Sequence, residues 1–251
     1  QMSGQGLFSG LYPETTGTPG QTNVVPFWTR DEEVDDILPN AYNCPMLTNA
    51  TLDAIHSPAV GPFVQKVDAL LAEFSEKLGQ KYTDMSLLWD CLHTHICHNF
   101  PIPPQITQDM FKQVSNLTLF ETQFGQDYNN SRVARYGMGP LVAEMQGNMD
   151  AIINGTAKPT KFWLYSGHDT GPIMPLLSAF HIHYDHWCPY ASMIVVEMYT
   201  ADTATGYAVR FVYNGESITL DGCGSELCDY ADFRRLMQDI IPTRAECGFS
   251  S

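Results

Sequence analysis

The residues best suited to chemistry in this chain are His168 and Asp169, which follow a short apolar run and a glycine. Residues 161–177 read KFWLYSGHDTGPIMPLL. The run at 162–165 is short, aromatic-rich and stopped by Ser-Gly, a pattern that predicts a buried strand of a parallel sheet. Open α/β sheets bind ligands just beyond the carboxyl ends of their strands, where helix N-termini point at them. A His-Asp pair at such a place is suited to acid–base chemistry on an anion.

A second interpretation of this stretch is purely structural. Asp169 or Thr170 would then cap the helix that follows, and His168 would be a hydrogen-bonded turn residue. The dipeptide alone does not separate the two interpretations, because a strand, a polar pair and a helix recur in many α/β proteins. The elements around the pair have to decide between them.

The C-terminal half alternates helix and strand patterns. Apolar residues at three- and four-residue spacing predict a helix at 135–153, and a last helix is predicted at 229–240. Two β-prone runs at 193–199 and 207–213 are joined by a polar loop at 201–206, which is typical of a hairpin. This half is therefore predicted to be α/β with at least one antiparallel edge.

The N-terminal half has helix patterns and no strand signal after residue 27. A helix remnant is predicted at 1–13 and a loop at 14–26. Amphipathic helices are predicted at 62–78, ended by Gly79, and from Asp84 through residue 95, with Asp84 as the cap. A third amphipathic segment follows the prolines near residue 104. The region reads as a helical insertion or cap domain.

Composition excludes some classes of partner. The net charge of −15 and the pI near 4.7 argue against nucleic acid, because phosphate backbones are bound by a surplus of Lys and Arg. Near pH 5 such a surface loses most of its self-repulsion, which favours an acidic working environment, although solubility alone explains the charge equally well. No apolar run approaches the length of a membrane-spanning segment.

Sequons and cysteines favour the secretory pathway. Four Asn-X-Ser/Thr sequons make Asn49, Asn116, Asn129 and Asn154 candidate glycosylation sites. Seven cysteines agree with this route, because disulfides persist mainly in oxidising compartments. We expect a secreted, cell-surface or lysosomal protein.

The cysteine spacing allows two bridges. Cys223 and Cys228 lie in a Gly-Ser loop and could close a local one, whereas Cys44 and Cys247 could tie an early segment to the C-terminus. The count is odd, so one thiol is left over.

Two histidine groups and one acidic cluster are candidate metal ligands by residue type. They are His93, His95 and His98; His181, His183 and His186; and Asp31, Glu32, Glu33, Asp35 and Asp36. Neither histidine group has the spacing of a known zinc motif, and the acidic cluster lacks the spacing of a calcium loop. We expect partly buried histidines and a solvated acidic face, with a metal-binding protein as an alternative function.

The run YSGHDT at 165–170, followed by Pro-Leu-Leu at 175–177, resembles the HD box of the histidine acid phosphatases. Other landmarks of that family occur in the same order over nearly the whole chain. They are Gly10-Leu11-Tyr12-Pro13, Asn43-Cys44-Pro45, His98-Asn99-Phe100, Pro189-Tyr190-Ala191-Ser192, Asp221-Gly222-Cys223 with Cys228, and Cys247. An ordered series is far more specific than a lone dipeptide.

The resemblance implies a fold and a domain organisation. The fold would be α/β, with a histidine-phosphatase-like mixed sheet flanked by helices and a smaller helical insertion domain. Residues 1–26 would begin the α/β domain without its N-terminal strand, 27–130 would form the helical insertion, and 131–251 would supply the rest with the HD box. The family acts without a metal or another cofactor.

The resemblance also implies site residues. In an acid phosphatase that hydrolyses phosphate monoesters, Asp169 would be the general acid and His168 would donate a hydrogen bond to a phosphoryl oxygen. The implied disulfides are Cys44–Cys247, Cys223–Cys228, and a third that joins Cys188 to either Cys91 or Cys97.

The family's nucleophile is missing from this sequence. It is the histidine of an RHGxRxP box near the family's N-terminus, and no Arg-His-Gly occurs here. A phosphate dianion needs several guanidinium or backbone donors, and the family's phosphate-binding arginine that precedes the helix at 1–13 is missing too. We therefore expect the C-terminal portion of a phosphatase whose precursor carries RHGxRxP in an N-terminal segment, with a homodimer open as its assembly. The alternative is a non-catalytic, phosphatase-like secreted glycoprotein that binds phosphorylated ligands.

Overall fold

The computed structural model describes residues 2–12, 28–35, 37–156 and 160–250. The loop predicted at 14–26 lies outside these residues. The helices are α1 (Met2–Leu11), α2 (Met46–Ile55), α3 (Gly61–Leu78), α4 (Met85–Cys97), α5 (Gln108–Ile153), α6 (Ile173–Ala179) and α7 (Tyr230–Ile240). The strands are β1 (Ile194–Thr200), β2 (Tyr207–Tyr213), β3 (Glu216–Ile218) and β4 (Leu227–Asp229). The α/β fold class is confirmed.

The sheet is built around β2. It pairs with β1 along its whole length, from Ile194 opposite Tyr213 to Thr200 opposite Tyr207. Strands β3 and β4 also pair with β2, and every pairing between the described strands is antiparallel. The two predicted strands and the hairpin between them are therefore confirmed.

The strand predicted at 162–165 is wrong. Residues 161–167 are assigned to no strand, none of them is buried, and the Phe162 side chain is 54% exposed. An apolar run forms a strand only where a neighbour accepts its backbone hydrogen bonds. Among the described residues, no strand pairs with this segment.

Local capping chemistry determines several helix ends, and the caps at Gly79 and Asp84 are as predicted. Helix α3 ends at Gly79, whose φ of 69° lies in the left-handed region that glycine tolerates. Asp84 caps α4 by accepting a hydrogen bond of 2.9 Å from the backbone N–H of Leu87. Asp229 caps α7 in the same way, with a distance of 2.8 Å to the N–H of Ala231.

Helix α5 joins two helices that the sequence pattern predicts separately. Its helical geometry breaks at 128–131, where Asn129, Asn130 and Ser131 all have left-handed φ values of 52°, 59° and 54°. Asparagine enters this region more readily than most residues, because its short side chain bonds locally. The break lies at the predicted boundary between the helical insertion and the α/β part.

Two clusters of buried apolar side chains form separate cores. The α/β core packs α5, α6 and α7 on the sheet, and its fully buried members include Met138, Leu141, Val142, Met174, Leu177, Val209, Phe211, Phe233 and Met237. The helical core joins α3, α4 and the start of α5 through Leu70, Leu71, Phe74, Met85, Leu88, Trp89, Leu92, Met110 and Val114. A third, small cluster packs α2 on Val133 and Tyr136 of α5. The division into 1–26, 27–130 and 131–251 stays a prediction.

Two of the three expected disulfides are formed. Cys44 bonds to Cys247 across a separation of 203 residues, and Cys223 bonds to Cys228 across five. The third is not formed in this structure, because Cys91, Cys97 and Cys188 all carry free thiols. Cys188 is buried in the α/β core, whereas the two cysteines of α4 are exposed, so the thiols lie in different environments.

The candidate glycosylation sites lie on the surface. The side chains of Asn49, Asn116, Asn129 and Asn154 are all exposed, as acceptors of a bulky, solvated glycan must be. Within the described ranges, no helix is both long enough and apolar enough to cross a membrane.

Two glycines of α5 provide a matched test of the packing. A Cβ added at Gly139 would overlap Cδ of Pro242, whose ring cannot move aside, whereas one added at Gly147 meets no atom within 4 Å. We expect Gly139→Ala to lower the free energy of unfolding by about 1–3 kcal/mol through overpacking. Gly147→Ala should raise it by about 0.5–1 kcal/mol, because alanine is the better helix former. Urea denaturation of both variants checks this, and stabilisation by both would contradict the close packing at Gly139.

Candidate active site

The HD pair lies in a tight turn that leads into α6. The backbone N–H of His168 donates to the carbonyl of Gly171 at 2.6 Å, and the N–H of Met174 donates to the carbonyl of Asp169 at 2.8 Å. Helix α6 begins at Ile173 and has no side-chain cap. The interpretation of Asp169 or Thr170 as a helix cap is therefore wrong, and the carboxylate is available for another role.

Two N–H donors hold the carboxylate of Asp169. Its Oδ1 accepts a hydrogen bond of 2.8 Å from the backbone N–H of Thr170, and its Oδ2 accepts one of 2.7 Å from the indole N–H of Trp187. Asp169 is half-buried, and the side chain of His168 is exposed. The turn thus presents an oriented carboxylate beside an imidazole that faces solvent.

Sequence reasoning did not identify Trp187 as part of this site. It lies 18 residues beyond Asp169, after α6, and no motif or spacing links the two positions. Its ring lies 4.3 Å from that of Trp89 on α4, so the site also touches the helical core. Only the folded chain brings these three residues together.

A second polar network anchors the segment that leads into the HD turn. The Tyr165 hydroxyl donates to Glu144 Oε1 at 2.9 Å and accepts from the Asn148 side chain at 3.3 Å. Arg30 pairs with the other oxygen of Glu144 at 3.1 Å. Burial, and then the Glu144 carboxylate, raise the pKa of Tyr165 well above its usual range. The phenol therefore keeps its proton and stays a donor to α5.

Cys188 lies close to the carboxylate without being a candidate nucleophile. Burial, followed by the negative charge of Asp169, raises the pKa of the Cys188 thiol to about 12. A thiol is nucleophilic only as its thiolate, which such a pKa suppresses. Its place is structural, within the α/β core.

The histidine groups make other contacts. The His93 ring stacks on Trp89, His95 Nδ1 lies 2.8 Å from the carbonyl of Cys91, and His186 Nδ1 lies 2.7 Å from Asp185 Oδ1. In the part of the chain that the structure describes, no three His, Cys, Asp or Glu side chains are grouped to hold a metal.

Comparison with known families decides the relationship. The model of the histidine phosphatase superfamily (branch 2) matches residues 1–214. The chain belongs to this superfamily. The resemblance stated from the HD box and the ordered landmarks is thereby confirmed.

Individual relatives agree with this membership. The chain is 31% identical over 253 residues to counting factor 60 of Dictyostelium discoideum, which covers 100% of this chain and 59% of the relative. It is 26% identical over 255 residues to lysosomal acid phosphatase of Xenopus laevis, covering 96% and 58%. It is 30% identical over 166 residues to prostatic acid phosphatase of Rattus norvegicus, covering 62% and 42%. The chain thus spans less than two thirds of the length of these relatives.

Proposed function

We propose that this chain supplies the general acid of an acid phosphatase that hydrolyses phosphate monoesters through a phosphohistidine intermediate. The observation that carries the proposal is the HD turn. There, Asp169 is held by two N–H donors beside the exposed His168, in a member of the histidine phosphatase superfamily. The names of two relatives, a lysosomal and a prostatic acid phosphatase, support the same activity.

The nucleophile comes, in this proposal, from an N-terminal segment of the same precursor that carries RHGxRxP. The segment at 161–167, which belongs to no helix or strand, supports this, because none of the described residues exchanges a backbone–backbone hydrogen bond with it. The backbone N–H and C=O groups of this segment are therefore available to pair with a strand supplied by the N-terminal segment. The share of the relatives' length that this chain spans leaves room for such a segment.

The proposed reaction has two steps. The histidine of RHGxRxP attacks phosphorus, so that an N–P bond forms while the bond from phosphorus to the leaving oxygen breaks. The proton of the Asp169 carboxyl group moves to that oxygen, and His168 donates a hydrogen bond to a phosphoryl oxygen. Water then attacks the phosphohistidine, gives a proton to Asp169 and releases inorganic phosphate. Both Asp169 and the nucleophile return to their starting states.

The hydrogen bonds of Asp169 are compatible with this role. Each carboxylate oxygen accepts one N–H in the structure and keeps a second lone pair on which the transferred proton can sit. An aspartic acid must be partly protonated to act as an acid, so activity should be greatest at acidic pH. The proposed location is therefore the lysosome, the cell surface or the secreted space, which the exposed sequons and two disulfides support.

The proposal predicts a trapped intermediate. Native-length protein, meaning this chain together with the proposed N-terminal segment, should release p-nitrophenol from p-nitrophenyl phosphate near pH 5. Rapid quenching should trap one phosphate that is labile in acid and stable in base, as expected of phosphohistidine. Sequencing the labelled peptide should place the phosphate on an RHGxRxP histidine outside residues 1–251. Tight binding of phosphorylated ligands without turnover would favour the non-catalytic glycoprotein instead.

A further inference from the structure

We propose that Trp187 is a positioning residue for Asp169, which makes the orientation of the acid depend on the helical core. This inference rests on the proposed function. It starts from a contact that neither the HD motif nor the family match assigns, the 2.7 Å hydrogen bond from the indole N–H of Trp187 to Asp169 Oδ2.

An indole N–H restricts the carboxyl group in a specific way. It donates along a single direction and cannot accept, so the lone pair of Oδ2 that it meets is closed to a proton. The N–H of Thr170 closes a lone pair of Oδ1 in the same way. The acidic proton of Asp169 is then confined to the two remaining lone pairs. Trp187 therefore helps to decide the direction in which Asp169 delivers its proton.

Ring packing holds the indole itself in place. Its centroid lies 4.3 Å from that of Trp89, which in turn stacks on His93 at 4.7 Å with an interplanar angle of 17°. The His93 ring lies 5.4 Å from that of Tyr190, three residues beyond Trp187. Aromatic pairs at these distances stabilise one another beyond their buried area. The rings of Trp187, Trp89, His93 and Tyr190 therefore form a column. Both of its ends, Trp187 and Tyr190, lie in the loop between α6 and β1.

The column crosses between the two cores. Trp187 packs against both the α/β core and the helical core, whereas Asp169 lies in the turn that precedes α6. Trp89 is 6% exposed and belongs to α4 of the helical core. A shift of α4 relative to α6 would therefore move the indole and turn the carboxyl group. Proton transfer is sensitive to displacements of this kind, because its efficiency depends on alignment of the reacting groups.

The test replaces Trp187 by Phe, which keeps an aromatic ring and removes the N–H. We expect kcat for an alkyl phosphate to fall roughly 10-fold, a part of the 10²–10⁴ that a positioned acid contributes, with KM unchanged. Turnover of p-nitrophenyl phosphate should stay within about twofold, because its leaving group needs no proton. Trp28→Phe is the matched control, since the Trp28 side chain is 92% exposed.

A second measurement uses the unaltered protein, so that misfolding of the variant cannot hide the answer. Among the tryptophan indole N–H resonances of native-length protein, one should shift with pH along the same curve as activity and lose that dependence in Asp169→Asn. This inference would be overturned, while the proposed function stands, if Trp187→Phe had the same activities as Trp28→Phe. It would also be overturned if no indole resonance followed the pH dependence of activity. An inactive native-length protein would overturn the proposed function and this inference with it.

Discussion

Replacing Asp169 by Asn should lower kcat for an alkyl phosphate by roughly 100- to 10,000-fold, the usual contribution of a positioned general acid. The amide keeps the shape of the side chain but has no proton to give to an alkoxide leaving group. p-Nitrophenolate leaves without protonation, so the loss on p-nitrophenyl phosphate should be about tenfold or less. Steady-state kinetics on both substrates with native-length protein measure the difference.

The control for this substitution is Asp202→Asn. Asp202 is exposed in the loop between β1 and β2, and the change creates no new sequon because Ala204 follows. It should leave both activities as they are. Equal losses on the two substrates in Asp169→Asn would show that Asp169 does not act as the acid. Retained activity on both would remove it from the reaction altogether.

The double substitution Cys44→Ala/Cys247→Ala should lower the free energy of unfolding by about 4–5 kcal/mol. The bridge closes a loop of 203 residues and so removes much conformational entropy from the unfolded chain. Both cysteines are also buried, at 0% and 4% exposure, in the small cluster where α2 packs on α5. Chemical denaturation of oxidised native-length protein gives the comparison.

The second disulfide provides the matched control. Cys223 and Cys228 are only five residues apart, so their bridge constrains a short loop. In the chain-entropy model, Cys223→Ala/Cys228→Ala should cost about 2 kcal/mol, clearly less than the long bridge. A cost for the long bridge equal to or below that of the short one would show that loop entropy does not dominate its contribution.

Local chemistry could be predicted from the sequence. The cap at Asp84, the left-handed residue at Gly79 and the hairpin between β1 and β2 each depend on a few neighbouring residues, and all three appear in the structure. The family resemblance was equally accessible, because landmarks such as the HD pair keep their order along the chain whatever the packing. The two disulfides that are formed were expected from that resemblance.

Two predictions that depend on contact with a distant part of the chain do not appear in the structure. The run at 162–165 has the composition of a buried strand, yet a strand requires a second chain segment at hydrogen-bonding distance, and none of the described strands supplies it. Cys188 has the residue type for a bridge to α4, but its thiol is buried in the α/β core while Cys91 and Cys97 are exposed. The residue types of a segment do not determine which other element of the fold it packs against.

By itself, the sequence determined the family of this protein, the ends of several helices and the presence of an HD pair suited to acid catalysis. The tertiary structure alone decided how Asp169 is held. Its partner Trp187 lies 18 residues away, and the ring that supports Trp187 belongs to α4, 80 residues before Asp169 in the chain. A hydrogen bond between such positions exists only once α4 and α6 have packed, because neither residue's type nor its spacing encodes the direction of its side chain.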